Sequence, residues 1–373
     1  MSVTRGARVR LAVVAAAVAM AVALAGCQTG GANQTDTALA VQDLPPLSEL
    51  TPIADPTSYE GPSTAPIGGP TLLPIAESPE QELPVTVVSH DRSGDAEVTV
   101  TDASRVLAIS MTGTLAELTY AYGLGDRLVG RDVSTDLPGL EDLPVVTGVG
   151  HTLDTEAIVA LSPTLVLTDN SVGSAEVMLQ LRDVGIDVVT VTRADDTEST
   201  FELVREVGEA LGVGRLADSL VADLQGAIDE KVAEIASLLP EDESLRPRVA
   251  FLYVRGTSGI YYLFGEGSSA TSLFEDLGVI DVAEEIGWVG ERPMTDEALI
   301  AADPDVIMVM TKGLESAGGV DGLIAAQPSI ALTTAGQNRR IIDAPDTLIF
   351  AGGTRIPDVL DGLARALYAP DSL

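Results

Sequence analysis

The chain has 373 residues, room for roughly two or three domains, and its 46% hydrophobic and 21% charged residues are the balance of a globular protein with a sizeable core. Its 56 acidic against 21 basic side chains give a formal net charge of −35. Such a surface repels phosphate, which excludes nucleic acid and argues against anionic lipid headgroups as partners of the folded body.

The N-terminus reads as an address. Arg5, Arg8 and Arg10 precede an unbroken apolar run from Leu11 to Ala25. That run falls short of the about 20 residues a membrane-spanning helix needs and suits the core of a secretory signal. It ends in Leu24-Ala25-Gly26-Cys27, which resembles a lipoprotein processing site. Residues 1–26 would be removed, and the Cys27 thiol would take a diacylglycerol that holds the protein to the cell membrane on its extracytoplasmic face. Cys27 is the only cysteine, so no intrachain disulfide is possible. Residues 27–83 then read as the acylated cysteine and a disordered tether. Prolines from Pro45 to Pro79 punctuate small, polar and acidic residues with no Lys or Arg among them. That composition buries too little apolar area to offset the entropy of ordering.

An N-terminal lobe is expected over 84–213. Val85–Val88 and Glu97–Val100 read as a hairpin about Ser93-Gly94, and Arg105–Ile109 as a buried strand. Thr112-Gly113-Thr114 opens a helix that Gly123 closes. Leu128–Gly130, Val145–Thr147, Thr164–Leu167 and Val188–Val191 are strand-like with helical stretches between, which indicates a parallel sheet of α/β type. Gly212-Val213-Gly214 has no strand before it and reads as a helix break, not a dinucleotide loop.

Leu216, Leu220, Leu224, Ile228, Ile235 and Leu239 form one apolar stripe on a long helix at 214–240, stopped by Pro240. At about 1.5 Å per residue it would span roughly 40 Å, the size of a domain, and suits a strut between two lobes. Residues 241–373 repeat the strand–helix pattern, with strands at Arg248–Tyr253, Ile260–Leu263, Asp305–Met310 and Arg340–Ile342. The halves also share a unit. Leu153–Leu167 and Met294–Met308 each carry a polar cap, a Glu, an amphipathic turn, a Pro and a strand at the same offsets.

These two units, with one long helix between them, resemble the substrate-binding proteins of ferric-siderophore, cobalamin and haem ABC importers over about residues 84–370. The resemblance implies an α/β fold of two Rossmann-like lobes joined by a single long helix, with the ligand in the cleft between them. It implies a monomeric carrier that delivers its ligand to a permease with its ATPase. It also implies that a Glu on each lobe engages the permease, and Glu156 and Glu297 stand at those positions. Gly150-His151, Leu252–Gly256 and Val309–Gly322 are similar to the haem-binding branch of Gram-positive bacteria, the HmuT type. There a His of one lobe and a Tyr of the other ligate the iron, an Arg supports the Tyr and a Met stands near. By motif match these fall on His151, Tyr253, Arg255 and Met310.

The residues carry part of this chemistry unaided. His90 and His151 are the only histidines, too few for a multi-His metal site. His151 precedes a helix at the carboxyl end of a strand, where ligands of open α/β sheets bind. Tyr253 and Arg255 share a face, and a cation beside a phenol favours the phenolate, a known haem ligand. Met308 reads as core packing and Met310 as nearer the site. Tyr261, Tyr262, Trp288, Arg292 and Arg355 are further candidates for the cleft, an arginine suiting haem propionates. A ferric-siderophore or cobalamin carrier on the same fold stays open and predicts basic or aromatic groups with no axial pair. A lipid-anchored adhesin predicts no small ligand. No hydrolase, Walker or zinc-protease motif supports an enzyme.

Overall fold

The computed structural model describes residues 44–68, 74–135, 137, 139–256, 261–349 and 352–373. The signal segment and Cys27 lie outside the described residues. The N-terminal lobe holds the hairpin β2 (Val85–Asp91) and β3 (Gly94–Val100), which follows a short β1 (Ser63–Thr64). Next come β4 (Val106–Ile109), α1 (Thr114–Ala121), α2 (Thr155–Leu161), β5 (Leu165–Thr168), α3 (Ala175–Asp183), β6 (Asp187–Thr190) and α4 (Thr197–Ala210). Strands β4, β5 and β6 pair in parallel in that order. Leu128 and Val145 make only single bridges, to Val106 and Arg131, so those two strand-like runs are not strands.

The linking helix is α5 (Ala217–Ala236). It is shorter than the stripe suggests, because Gly214–Leu216 turn as a 3-10 helix and Leu238 N–H bonds back to Ile235 O at 2.8 Å. The expected stripe is buried at Leu220, Leu224, Ile228 and Ile235. It packs on α4 on one side and on the C-terminal lobe on the other.

The C-terminal lobe runs β7 (Arg248–Val254), β8 (Tyr261–Phe264), α6 (Ser269–Leu277), β9 (Ile280–Asp281), α7 (Val282–Glu285), β10 (Glu291–Pro293), α8 (Asp296–Ala302) and β11 (Val306–Met310). After these come α9 (Thr311–Ser316), α10 (Gly319–Ala326), α11 (Thr334–Gln337), β12 (Ile341–Ala344) and α12 (Ile356–Tyr368). Its sheet orders β1-β12-β11-β7-β8-β10, parallel up to β7 and antiparallel beyond it.

The parallel strands β4, β5, β11 and β12 are buried on both faces, as parallel sheets are, whereas the antiparallel β10 is exposed. Val106, Ala108, Leu165 and Leu167 face a core shared with Val249, Phe251, Val306 and Met308 of the other lobe. The alternate residues Leu107, Ile109 and Val166 face a separate outer cluster, as do Ala250, Leu252, Ile307 and Val309. One continuous core therefore runs through α5 from lobe to lobe, and each lobe has a second core on its outer side. The repeated unit is borne out atom by atom. Asp154 and Thr295 cap α2 and α8 by accepting from the amides of Ala157 and Ala298, and Ser162 and Asp303 end them at φ 48° and 43°.

The stretch expected to be a disordered tether is structured wherever it is described. Leu47, Ala65 and Ile67 are buried. Strand β1 adds to β12, pairing Ser63 with Ile342, and Ile53 N–H donates to Tyr368 O at 2.8 Å. The buried Arg340 guanidinium donates to Gly61 O, to Ser63 Oγ at 2.6 Å and to Ala366 O. Further on, Ile75 N–H donates to Ala121 O and Glu82 N–H to Gly212 O. The segment thus leaves the edge of one sheet and reaches the other lobe. Composition misled because few apolar side chains suffice when a strand edge stands ready to pair.

Candidate ligand-binding site between the lobes

A cavity of about 430 Å³ lies between the lobes, a volume within the roughly 300–1,000 Å³ of small-molecule sites. It opens where the parallel strands of both sheets end, the place where ligands of open α/β sheets bind. Met111 follows β4, Asp169 and Ser171 follow β5, and Arg193 follows β6. From the other lobe come Tyr253 near the end of β7, Met310 as the last residue of β11, and Asp346 after β12. The antiparallel β8 and β10 add Tyr262, Phe264 and Glu291.

On the C-terminal side, Arg255 Nε donates to the Tyr253 hydroxyl at 2.9 Å. Its guanidinium also pairs with Asp346 at 3.6 Å. The hydrogen bond to Tyr253 raises the Arg255 guanidinium above its ordinary value, so it stays a cation. Tyr253 pairs across the sheet with Tyr262, and their rings meet edge to face at 6.4 Å. Helix α9 begins close behind them. A Cβ on Gly313 would stand 2.7 Å from Val254 O, so only glycine admits this approach.

On the N-terminal side, two carboxylates hold backbone beside the cavity, Asp169 on its lining and Asp132 buried behind it. Asp132 accepts from the amides of Ser110, Ser134 and Thr135. Asp169 accepts from the Ser171 amide at 2.9 Å and from the Ser171 hydroxyl. Burial pushes both carboxyls up, against these hydrogen bonds. Arg193 stands near enough to Asp169 to oppose its shift.

The structure brings Tyr253, Arg255 and Met310 together but not His151. His151 is not among the residues lining the cavity. It lies half-buried in a left-handed turn, φ 57°, with a buried Nδ1 that finds no hydrogen-bond partner among the described residues. Met308 is fully buried in the core, as its position in mid-strand implied. Tyr262 lines the cavity, whereas Tyr261 is buried and donates to Asp296 at 3.0 Å. Arg292 sits over the Trp288 ring at 4.7 Å, away from the lining. Arg355 is buried and bonds Gly68 O, so it cannot meet a propionate at the rim. Glu156 and Glu297 are exposed in the first turns of α2 and α8.

Sequence reasoning missed Met111, Asp169, Arg193, Glu291 and Asp346. Four of these stand just past a parallel strand, so the strand-end rule applied to every strand would have found them. Glu291 lies on β10, which carried no strand signal.

Residues 108–348 match the periplasmic binding protein family, and the chain belongs to it. Fold and site define a substrate-binding protein of an ABC importer, a class that is generally not enzymatic. Within the ferric-siderophore, cobalamin and haem group it is similar to the haem-type members. The crystal structure of the heme binding protein HmuT superposes with a TM-score of 0.76 at 36% identity, covering 84% of this chain and 99% of that one. The ABC transporter substrate-binding lipoprotein YvrC of Bacillus subtilis (strain 168), itself uncharacterized, is 29% identical over 79% of this chain and 89% of its own length. A cobalamin-binding protein of Halobacterium salinarum is 26% identical over 82% of this chain and 81% of its own.

Proposed function

We propose that the protein captures haem outside the cell and delivers it to an ABC permease with its ATPase. The observation that carries this is the Tyr253 phenol on the cavity wall with the Arg255 guanidinium donating to its oxygen. The guanidinium holds that oxygen at the cavity wall with a lone pair left to offer, and tyrosine oxygen is a haem iron ligand. In this reading Tyr253 ligates the iron, Arg255 supports it and Met310 packs beside it. His151 supplies the opposite ligand once the loop over 148–152 turns toward the cavity; an imidazole nitrogen buried without a partner has a hydrogen bond or a metal still to gain. The similarity to HmuT supports haem as the cargo. The protein acts as a monomer anchored through acylated Cys27 on the extracytoplasmic face, and Glu156 and Glu297 dock it to the permease.

The cobalamin-binding relative supports a second reading, a corrinoid or a ferric siderophore in the same cleft. Titration of the purified protein with haemin and with cyanocobalamin separates the two. A Soret band that Tyr253→Phe alters is the expected result. A protein that binds cyanocobalamin and leaves the haemin spectrum unchanged would overturn the haem reading. Palmitate labelling of the wild type and not of Cys27→Ser checks the anchor.

A further inference from the structure

Two large apolar side chains lining the cavity stand well out in water, one from each lobe: Met111, 45% exposed, and Tyr262, 38% exposed. Tyr262 has a neighbour that accounts for it, the Tyr253 ring. Met111 has a fixed backbone instead. The Ser110 amide donates to Asp132 Oδ2 at 2.9 Å, and the Met111 amide donates to Ser171 Oγ at 2.9 Å. Ser171 is in turn held by Asp169. The turn after β4 is thus pinned through two largely buried carboxylates while the thioether arm is left almost half exposed. The pinned turn holds the arm at the cavity, where an apolar ligand surface would cover its exposed area and remove it from water.

We infer that Met111 packs its thioether on the face of the macrocycle turned to the N-terminal lobe, opposite Tyr253. The inference rests on the haem reading. Methionine suits the task, because its unbranched and polarizable chain adapts to a flat π surface. Thr112 and Thr114, which line the cavity on the same segment, offer no comparable apolar area. The contact is with the ring and not with the iron, so it is indifferent to the metal, whereas the role of Tyr253 is not.

The test is binding of haemin and of metal-free protoporphyrin IX to the wild type, Met111→Ser, Met111→Leu and Tyr253→Phe. Covering the exposed part of a methionine predicts that Met111→Ser weakens both porphyrins by about tenfold, with Met111→Leu within about threefold of wild type. Tyr253→Phe is expected to weaken haemin and leave the metal-free ring unaffected. Wild-type affinity of Met111→Ser for both porphyrins overturns the inference, as does a loss confined to haemin. If the wild type binds no haemin, the haem reading falls and this inference with it. If it binds haemin and Met111→Ser changes nothing, this inference alone falls. Met111 carries no core packing, so Met111→Ser should unfold thermally like the wild type.

Discussion

Arg255 Nε lies 2.9 Å from the Tyr253 hydroxyl, two residues away, and Asp346, which also lines the cavity, pairs with the same guanidinium at 3.6 Å. The phenol oxygen therefore accepts from a cation that is itself positioned. Removing the oxygen with Tyr253→Phe should weaken haemin binding by about tenfold or more and change the ferric spectrum. Arg255→Ala should cost less, and its haemin release should quicken as the pH falls, since a proton then competes with iron for an oxygen that has lost its cation. Arg255→Lys should recover part of the loss, as a point charge without the planar fork. Stopped-flow transfer of haemin to apo-myoglobin across the pH range measures all three. A wild-type spectrum and release rate in Tyr253→Phe would remove the phenolate from the account.

Glu156→Ala with Glu297→Ala should leave haemin affinity unchanged and reduce haem-dependent growth. Both carboxylates are exposed in equivalent first turns, one per lobe, and neither lines the cavity. Equal growth of the double variant and the wild type would show that the pair does not dock.

The N-terminal segment should prove to be part of the folded body. Arg340 is 1% exposed, lies 4.7 Å from the centre of the Tyr59 ring, and ties Gly61 and Ser63 to the backbone of α12. Burial lowers its guanidinium to about 10, still a cation at neutral pH. Hydrogen bonds from a charged donor contribute about 1.5–3 kcal/mol each, and several are lost together in Arg340→Ala. That variant should be less stable by roughly 2–4 kcal/mol in urea denaturation, and residues 44–68 should become open to limited proteolysis. Unchanged stability, with cleavage of this segment already fast in the wild type, would restore the tether.

His90 should make stability depend on pH. Burial opposes its charge, but Asp95 at 3.0 Å and Glu206 at 3.1 Å outweigh burial and raise its pKa above the ordinary value. The imidazolium joins the β2–β3 hairpin to α4, and Glu206 also accepts from Thr192 N–H at 2.6 Å, next to the cavity residue Arg193. A folded pKa above the unfolded one means that this stabilisation is fully present below about pH 6.5 and is lost as the pH rises through the folded pKa. The site is partly open to solvent, so the effect should stay under about 1 kcal/mol. Thermal unfolding should separate His90→Gln from the wild type more at about pH 5.5 than at about pH 8.5. An equal gap at both would mean that the charge is not what stabilises the contact.

Local chemistry was legible in the chain itself. The strands β4, β5, β7 and β11, the stripe on α5, the paired caps of α2 and α8, and the Tyr253–Arg255 pair follow from periodicity, capping residues and i, i+2 spacing, all of which act over a few residues. What those cues cannot carry is which distant loops meet. His151 had a plausible strand-end position, yet Val145–Thr147 forms no strand and His151 does not line the cavity, while Met111 and Arg193 reach it from the ends of strands that lie far apart in sequence. Residues 44–68 carry a tether's composition, but the open edge of β12 and the buried Arg340 bind that backbone, and neither is visible from the segment alone. Which helix, edge or wall a side chain meets is set by long-range packing, so only the tertiary structure decided the wall of the cavity and the fate of the N-terminal segment.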